Sequence, residues 1–247
     1  MSRLSRYLPV RTWYLNMMQT IGQPSRSHPQ VEVLSFHIPK CAGISFASAL
    51  RQSYGRNQML GIYHRSQLGP MLTEGQPIWI PAQSRVLHGM YIPHESHFTQ
   101  FPNAQRIIWI RDPLERLISL LNYWLRENAS HDSQWMYFRK NHLSTSPPFE
   151  EMLQLMLTDK HLAPTLSVYK HIISTVGTDF FTFIGQTETY EQDLIVLESI
   201  LDRPLRQAWL NQSPNTKDLA QKDEFREYLS EEYRAFNMLK HAAARRK

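Results

Sequence analysis

Two cationic residues, each placed directly after an apolar run, are the side chains of this 247-residue chain that are best placed to do chemistry. Lys40 follows the run Val31–Phe36 and precedes a segment with helical spacing. Arg111 follows the run Arg106–Ile110, and another helical segment comes after it. A helix N-terminus offers free N–H groups and the positive end of a dipole, and a cation beside it strengthens the attraction for anions. The pattern therefore predicts a site for phosphate or sulfate.

The small residues after Lys40 predict a tight turn that wraps around an anion. We expect Gly43 to supply backbone φ values that other residues avoid. The segment is not a Walker A motif, GxxxxGK[ST], because its lysine precedes the glycine. An ordinary strand–turn–helix with an exposed lysine is the alternative interpretation. The residues expected to form the phosphate loop are Pro39, Lys40, Cys41, Ala42, Gly43, Ile44 and Ser45.

Both cations lie in motifs that resemble those of sulfotransferases that use 3′-phosphoadenosine-5′-phosphosulfate (PAPS). The segment HIPKCAGISF, residues 37–46, resembles the 5′-phosphosulfate loop of the heparan-sulfate 2-O-sulfotransferase and related carbohydrate sulfotransferase group. It departs from that pattern at Cys41 and Ile44, where threonine is usual. The segment RDPLERLIS resembles the 3′-phosphate motif RDPxxRxxS, which implies that Arg111 and Ser119 bind the 3′-phosphate.

Two shorter segments extend this resemblance over most of the chain. The segment FIGQTE, residues 183–188, is similar to the family's FVGxxE strand end. The segment LNQS, residues 210–213, is similar to an LNxS segment that lies near the nucleotide. The resemblance therefore covers about residues 31–239. It implies a P-loop-NTPase-like α/β fold of three layers, in which helices flank a central parallel sheet.

The resemblance implies that the sulfuryl group of PAPS moves to an acceptor, most simply a hydroxyl of a glycan or another small hydroxylated molecule, and that PAP is released. Lys40 would then be catalytic, because it stabilises the leaving phosphate, and no metal is required. The family's general base comes from an HGH segment, where this chain has His88, Gly89 and Met90. His88 is the expected base, since histidine titrates near neutral pH. A structural His88 is the alternative, with the base role passing to His94, Glu95 or His97.

Other functions remain open from the sequence. A small-molecule kinase would need a magnesium-binding acid, for which Asp112 is the candidate, and a GK[ST] loop that is absent. A non-catalytic module that binds anionic ligands would explain the net charge of +5. A family member without activity would explain the departures at Cys41, Ile44 and Met90. His88, His94 and His97 are spaced too irregularly to predict a zinc site. Aromatic residues such as Tyr123 and Trp124 could stack a sugar or adenine, or fill the core.

Composition and hydropathy narrow the class of protein further. Hydrophobic residues make up 42% of the chain and charged residues 20%, which is ordinary for a globular domain. The basic residues are scattered, so nucleic acid is not an expected partner. A single cysteine excludes a disulfide framework within the chain and favours a reducing compartment. No apolar run is long enough to span a membrane. We expect a cytoplasmic enzyme, with a trimmed lumenal domain of a membrane-anchored enzyme as the alternative.

The periodicity of apolar residues predicts the elements that position these side chains. An N-terminal helix and linker, residues 1–30, precede one sulfotransferase-like domain, residues 31–247. Strands alternate with helices, which predicts a parallel sheet whose ligands bind at the carboxyl ends of the strands. Asp112 and Pro113 predict the start of a helix, and Thr189 with Gln192 predicts a capping box. The predicted strands are 31–36, 58–63, 84–90, 106–110 and 180–185, and the later predicted helices are 112–125, 130–142, 149–157, 189–201 and 223–241.

Overall fold

Five parallel strands form one sheet in a computed structural model that describes residues 8–63, 66–127, 129, 132–143, 147–206 and 223–246. The sheet has the order β2-β3-β1-β4-β5, and every pairing is parallel. Each strand lies within two or three residues of its predicted position, so the prediction of a parallel sheet is confirmed. The strands are β1 (Val33–Phe36), β2 (Met59–Ile62), β3 (Val86–Gly89), β4 (Gln105–Ile110) and β5 (Phe183–Gln186).

The strands are apolar because helices cover both faces of the sheet. All four residues of β1 and of β3 are buried. The described helices are α1 (Leu8–Ile21), α2 (Gly43–Tyr54), α3 (Leu68–Thr73), α4 (His97–Gln100), α5 (Pro113–Glu127), α6 (Ser133–His142), α7 (Phe149–Thr158), α8 (Ala163–Leu166), α9 (Val168–Val176), α10 (Tyr190–Leu201), α11 (Asp223–Glu227) and α12 (Ser230–Ala244).

The strand order reverses direction at β1, and this reversal creates the three layers. The chain leaves β1 toward β2 on one side, and later crosses from β3 to β4 and β5 on the other side. Right-handed crossovers in opposite directions put their helices on opposite faces of the sheet. The predicted P-loop-NTPase-like arrangement is thus confirmed. Ligands of such sheets bind in the crevice at the carboxyl ends of the strands, where the order reverses.

Two hydrophobic clusters hold the described part of the chain together. One lies around the sheet and includes Leu34 of β1 and Ile108 of β4. The other lies between α5, α6, α7 and α11 and is centred on Trp124 and Phe138. Leu15 anchors α1 in the first cluster, and the Gln19 side chain of α1 exchanges hydrogen bonds with the backbone of Trp79. None of the described helices is long and apolar enough to cross a membrane.

Three local predictions were wrong. The helical spacing of the apolar residues in 112–125 predicts that Leu125 faces the core with the others, but it is 38% exposed near the end of α5. Thr189 does not form a capping box with Gln192; its hydroxyl donates instead to Asp193, which also accepts from the backbone of Gln186. The final helix is divided into α11 and α12. The predicted LNQS segment, 210–213, lies outside the described residues.

Candidate active site

The two predicted motifs meet at the carboxyl edge of neighbouring strands. Strand β1 pairs with β4, and Lys40 follows β1 by four residues while Arg111 follows β4 directly. Helix α2 begins at Gly43 and helix α5 at Pro113, so both helix N-termini face this edge. The first N–H groups of a helix have no partner within the helix. The edge therefore combines the start of α2 with two cationic side chains, whereas the first N–H groups of α5 are taken by Asp112.

The phosphate loop owes its shape to two residues in the left-handed backbone region. Lys40 has a φ of 71° and Ala42 a φ of 55°, whereas the φ of Cys41 between them is not positive. Such alternation turns successive N–H groups toward one side and makes a concavity for anions. Each left-handed residue that is not glycine costs about 1–2 kcal/mol. Strain of this kind is concentrated at functional sites.

Gly43 has a different purpose from the one predicted. Its φ is not in the left-handed region, so it does not supply the turn. A Cβ atom at Gly43 would lie 1.9 Å from Cδ2 of His37 and 2.1 Å from its Nε2. The His37 ring is itself stacked on His88 and packed edge-on against Tyr63. Glycine is therefore required because the start of α2 lies directly against this ring.

Lys40 is half-buried at the site and is surrounded mainly by positive charge. Burial, followed by Arg126 and Arg111, lowers the pKa of Lys40 to about 8. Its Nζ lies 4.7 Å from the centre of the Tyr123 ring. Among the described residues, no carboxylate lies within ion-pair distance of Lys40. An incoming phosphate would relieve this repulsion and raise the pKa of the lysine again.

Tyr169 ties the phosphate loop to the arginine motif. Its hydroxyl donates to the backbone oxygen of Arg111 at 2.8 Å and accepts from the Arg111 N–H at 2.9 Å. The Cys41 thiol lies 3.3 Å from the same hydroxyl. Because the only hydrogen of that hydroxyl is donated to the Arg111 oxygen, the thiol is the donor in this contact. Tyr169 is fully buried and comes from α9. One side chain from a distant helix thus fixes the distance between the two motifs.

Cys41 contributes its backbone to the loop and directs its side chain inward. The thiol is 1% exposed, and burial raises its pKa to about 11. The thiol contacts Tyr169 and the N–H of this residue donates to the Ile38 carbonyl at 3.2 Å, so Cys41 shapes the loop and does not itself face a phosphate. Ile44, the other departure from the family pattern, is 40% exposed on the first turn of α2. Ser45 beside it is buried.

Arg111 and the residue after it have distinct partners. The Arg111 guanidinium lies 3.4 Å from Glu115, one turn along α5. Asp112 caps α5, since its Oδ1 accepts from the N–H groups of Leu114 and Glu115. The Asp112 carboxylate also accepts from Arg226 at 3.0 Å and from the Tyr233 hydroxyl at 2.8 Å. These contacts use the carboxylate that a kinase would need for magnesium.

Glu188, from the predicted FVGxxE-like segment, connects β5 to the same edge. Its Oε1 accepts from the backbone N–H of Asp112 at 3.1 Å. Gly185 of this segment allows β5 to approach β4, because a Cβ there would lie 2.5 Å from the Trp109 ring. The third motif therefore supports the arginine turn.

Ser119 and Arg116 lie on the buried side of α5. Ser119 is 3% exposed, one turn and a half from Pro113. Arg116 is 1% exposed and donates to the backbone oxygen of Thr165 at 2.7 Å, which makes it a structural residue. Glu232 of α12 accepts from the N–H groups of Tyr169 and Lys170, so it fixes the start of α9.

His88 is enclosed in the sheet. Its ring is 0% exposed, and Nδ1 lies 2.8 Å from the Ser35 hydroxyl. Burial, then His37 and Arg51, lowers its pKa well below the usual value. The Nε2 atom is buried without a hydrogen-bond partner among the described residues. No surface of His88 is open to an acceptor in this structure, so its role as general base stays a prediction that the geometry does not favour.

The other predicted bases differ in their availability. His97 is fully buried, with Nε2 directed at the Leu72 oxygen and Nδ1 accepting from the His94 N–H, which makes it structural. His94 is half-buried and its Nδ1 accepts from the Ser96 N–H. Glu95 is exposed. Among the described residues, no group of three or more His, Cys, Asp or Glu side chains could hold a metal ion.

Two residues near the site, Tyr169 and Arg126, were not considered from the sequence, and Tyr123 was considered only as a residue that could stack a sugar or adenine. These residues reach the site from α9 and from the second half of α5. Tyr123 and Arg126 follow Ser119 on α5 at spacings of four and seven residues, which places all three near one face of the helix. That spacing was the available signal. Nothing in the sequence near Tyr169 indicates its contacts with Arg111 and Cys41.

Comparison with known proteins assigns the chain to a family. The chain belongs to the sulfotransferase family, because the model described as "Sulfotransferase family" matches residues 25–235. That span contains both phosphate motifs. The protein is therefore an enzyme that transfers a sulfuryl group from PAPS to an acceptor. The match does not distinguish the 2-O-sulfotransferase group from the rest of the family.

Solved structures give a fold-level similarity. A sulfotransferase from Alicyclobacillus acidocaldarius is 12% identical, with a TM-score of 0.47 over 87% of this chain and 96% of that chain. A mouse sulfotransferase, SULT7A1, complexed with PAP, is also 12% identical, with a TM-score of 0.42 over 91% of this chain and 87% of that chain. The family assignment rests on the family model and not on these similarities. No curated protein sequence matches the chain.

Proposed function

We propose that this sulfotransferase transfers the sulfuryl group to a hydroxyl of a glycan or another small hydroxylated molecule, with the carboxyl edge of β1 and β4 as its active site. The observation that carries the proposal is the hydrogen-bonded contact between the two motifs. Tyr169 joins Cys41 of the phosphate loop to the backbone of Arg111. Two anion-binding elements fixed to each other match a donor that carries phosphate groups at both its 5′ and 3′ positions.

The phosphate loop is the proposed site for the 5′-phosphosulfate. Lys40 and the N–H groups at the start of α2 would surround the phosphate that leaves when the sulfuryl group moves. Charge that develops on the leaving oxygen is stabilised most by donors that are already in position. The left-handed backbone at Lys40 and Ala42 supports this role, because it sets the N–H groups before the ligand arrives.

Arg111 and Ser119 are the proposed contacts of the 3′-phosphate. The guanidinium is half-buried and makes two long contacts with one oxygen of Glu115, from Nε at 3.4 Å and from Nη2 at 3.5 Å. A phosphate offers two oxygens at the spacing of the guanidinium fork, so it is the stronger partner. Ser119, which lies on the same helix two residues before Leu121, would add a hydroxyl donor.

An acceptor hydroxyl requires a base, and the carboxyl edge offers candidates. His94 and Glu95 follow β3 and are at least partly open to solvent. His88→Asn separates the alternatives. A rate that falls by about 10²–10⁴-fold with unchanged PAP affinity supports His88 as the base. A change of less than tenfold moves the role to His94 or Glu95.

Ligand binding and acceptor labelling test the proposal together. PAP at 100 times its Kd should stabilise the protein by about 2.7 kcal/mol in a thermal shift, whereas AMP should not at the same concentration, because it lacks the 3′-phosphate. ATP with Mg²⁺ and a sulfated oligosaccharide are the comparison ligands. Radiolabelled PAPS is then offered with a neutral glycan, a phenol, a tyrosine peptide and an amino sugar. Label on the amine alone would contradict a hydroxyl acceptor.

The cellular location belongs to the proposal as well. The single cysteine, Cys41, is a buried free thiol, which suits a reducing compartment such as the cytoplasm. Fractionation of cells that produce the protein tests this location. Recovery in a lumenal fraction would contradict it.

A further inference from the structure

The side chain of Lys40 lies against an aromatic ring in this structure. Its Nζ is 4.7 Å from the centre of the Tyr123 ring, which is within the distance of a cation–π contact. Tyr123 lies on α5, four residues after Ser119, and is half-buried. Lys40 reaches it from the left-handed position in the phosphate loop. The contact therefore joins the phosphate loop to α5.

The charges around Lys40 act against its protonated form. Burial has the largest effect on its pKa, and Arg126 and Arg111 add to it. Cys41 and Glu127 act in the opposite direction. Glu127 is itself held by Arg126 at 2.9 Å, and Arg111 by Glu115. The titratable and charged groups that face Lys40 are Arg126 and Glu127 of α5, Arg111 at the end of β4, and His37 and Cys41 of the loop segment.

We propose that Tyr123 is a positioning residue for Lys40, whose ring face holds the ammonium group at the phosphate loop and favours its charged form until the phosphate of the donor replaces the ring. The negative face of the aromatic ring attracts a cation without a charge of its own. It therefore keeps the lysine beside the loop without neutralising the site that must bind an anion. The inference deepens the proposed function and rests on the assigned role of Lys40.

Titration of Lys40 measures the effect of the Tyr123 ring on the charged form of the lysine directly, and it does not depend on enzyme activity. The full-length protein without ligand is acetylated competitively over a range of pH, and the modification of Lys40 is followed by mass spectrometry. Tyr123→Leu should lower the pKa of Lys40 by about half a unit to one and a half units, the equivalent of a cation–π contact. Tyr123→Phe should leave it as in the unaltered protein, because the ring is kept. Tyr137→Leu, on α6, is the control and should not change it.

Turnover supplies the second measurement. Loss of the charged form of Lys40 should lower kcat/KM for PAPS as the pH rises, and in Tyr123→Leu this fall should occur at lower pH. At pH 8 the difference should be about two- to sixteenfold, and Tyr123→Phe should restore the profile. At pH 5.5, a full unit below the lowest pKa expected for Lys40 in these variants, PAP affinity should be retained. A loss of PAP affinity at pH 5.5 would mean that the leucine disturbs the site as a whole.

A series of isosteric rings removes any doubt about packing. Phenylalanine with one, two or three ring fluorines in place of Tyr123 keeps the shape and weakens the negative face stepwise. The pKa of Lys40 should fall with each fluorine. A constant pKa over the series, or an equal change in Tyr123→Phe and Tyr123→Leu, overturns the inference. The pKa of Lys40 could fall with each added fluorine while Lys40→Met retains full turnover. That result would confirm the cation–π contact and contradict the catalytic role assigned to Lys40.

Discussion

At the scale of single residues, the cations of the two phosphate motifs, Lys40 and Arg111, have no strong partner among the described residues. Arg111 has two long contacts with one oxygen of Glu115, and the exposure of both side chains limits such an i, i+4 pair to about 0.3–0.5 kcal/mol. A phosphate held by the guanidinium fork interacts more strongly. Arg111 can therefore exchange Glu115 for a phosphate at small cost. Lys40 changes partner in the same way, from the Tyr123 ring to the donor.

Replacing Arg111 tests the 3′-phosphate site. Arg111→Ala should weaken PAP binding by about 2–5 kcal/mol, because a charge-assisted contact to a buried phosphate is lost. The affinity for AMP, which lacks that phosphate, should change little. Isothermal calorimetry with both nucleotides measures the difference. Equal losses for PAP and AMP would show that the mutation acts on the whole site and not on the 3′-phosphate.

At the scale of secondary-structure elements, the site depends on close approaches between strand ends and helix starts. The start of α2 lies against His37, and the start of α5 is held by Asp112, Tyr233 and Glu188. The left-handed residues Lys40 and Ala42 fit between these fixed ends. Their strain is maintained because the surrounding elements leave no alternative position.

Gly43→Ala should disturb this arrangement. The added methyl group meets the His37 ring, which Tyr63 and His88 hold in place, and overpacking of this kind costs about 1–3 kcal/mol. Chemical denaturation measures the loss. Gly69→Ala is the matched control, since its nearest neighbour lies at 3.5 Å. The double variant His37→Ala, Gly43→Ala should recover part of the loss; a purely additive result would assign the cost to another contact.

Tyr169→Phe tests the connection between the two motifs. It removes the hydroxyl that contacts the Arg111 N–H, the Arg111 carbonyl and the Cys41 thiol. Each buried polar group left without a partner costs about 1–3 kcal/mol, so stability and PAP affinity should both fall. Tyr228→Phe, at an exposed tyrosine, is the control. If stability falls but PAP affinity does not, Tyr169 supports the fold without positioning the site.

At the scale of the whole molecule, buried histidines make the fold sensitive to acid. Burial lowers the pKa of His37 and His97 to about 4, and it holds the pKa of His88 well below its usual value. As the pH falls, a histidine whose pKa is lower in the folded state is protonated in the unfolded chain before it is protonated in the folded protein, and this favours unfolding. The stability it contributes is therefore present above pH 6.5 and is lost as the pH falls from 6.5 toward 4.

Denaturation at several pH values should show this loss. The free energy of unfolding should fall by about 1.4 kcal/mol for each pH unit below 6.5 and for each histidine that stays neutral. His97→Gln should reduce this slope by the share of one histidine. His171→Gln, at an exposed position, should not change it. An unaltered slope in His97→Gln would show that His97 does not titrate on unfolding in this range.

The sequence by itself determined the sheet and the two phosphate motifs. Five apolar runs predicted five strands, and all are present near their predicted positions. Asp112 and Pro113 predicted the start of α5, and Asp112 caps that helix. These features depend on residues that are close in the chain. Local patterns of hydrophobicity, capping residues and turn residues are therefore enough to find them.

Only the tertiary structure decided how the motifs are joined and which groups remain accessible. The contact of Tyr169 with Cys41 links residues 128 positions apart, and no local pattern indicates it. The enclosure of His88 depends on neighbouring strands and on the His37 ring above it. Gly43 was expected to supply a turn, yet it is needed for space beside that ring. Such properties arise from packing between segments that are far apart in the chain. Local sequence patterns do not indicate these contacts, because they form only when the chain folds.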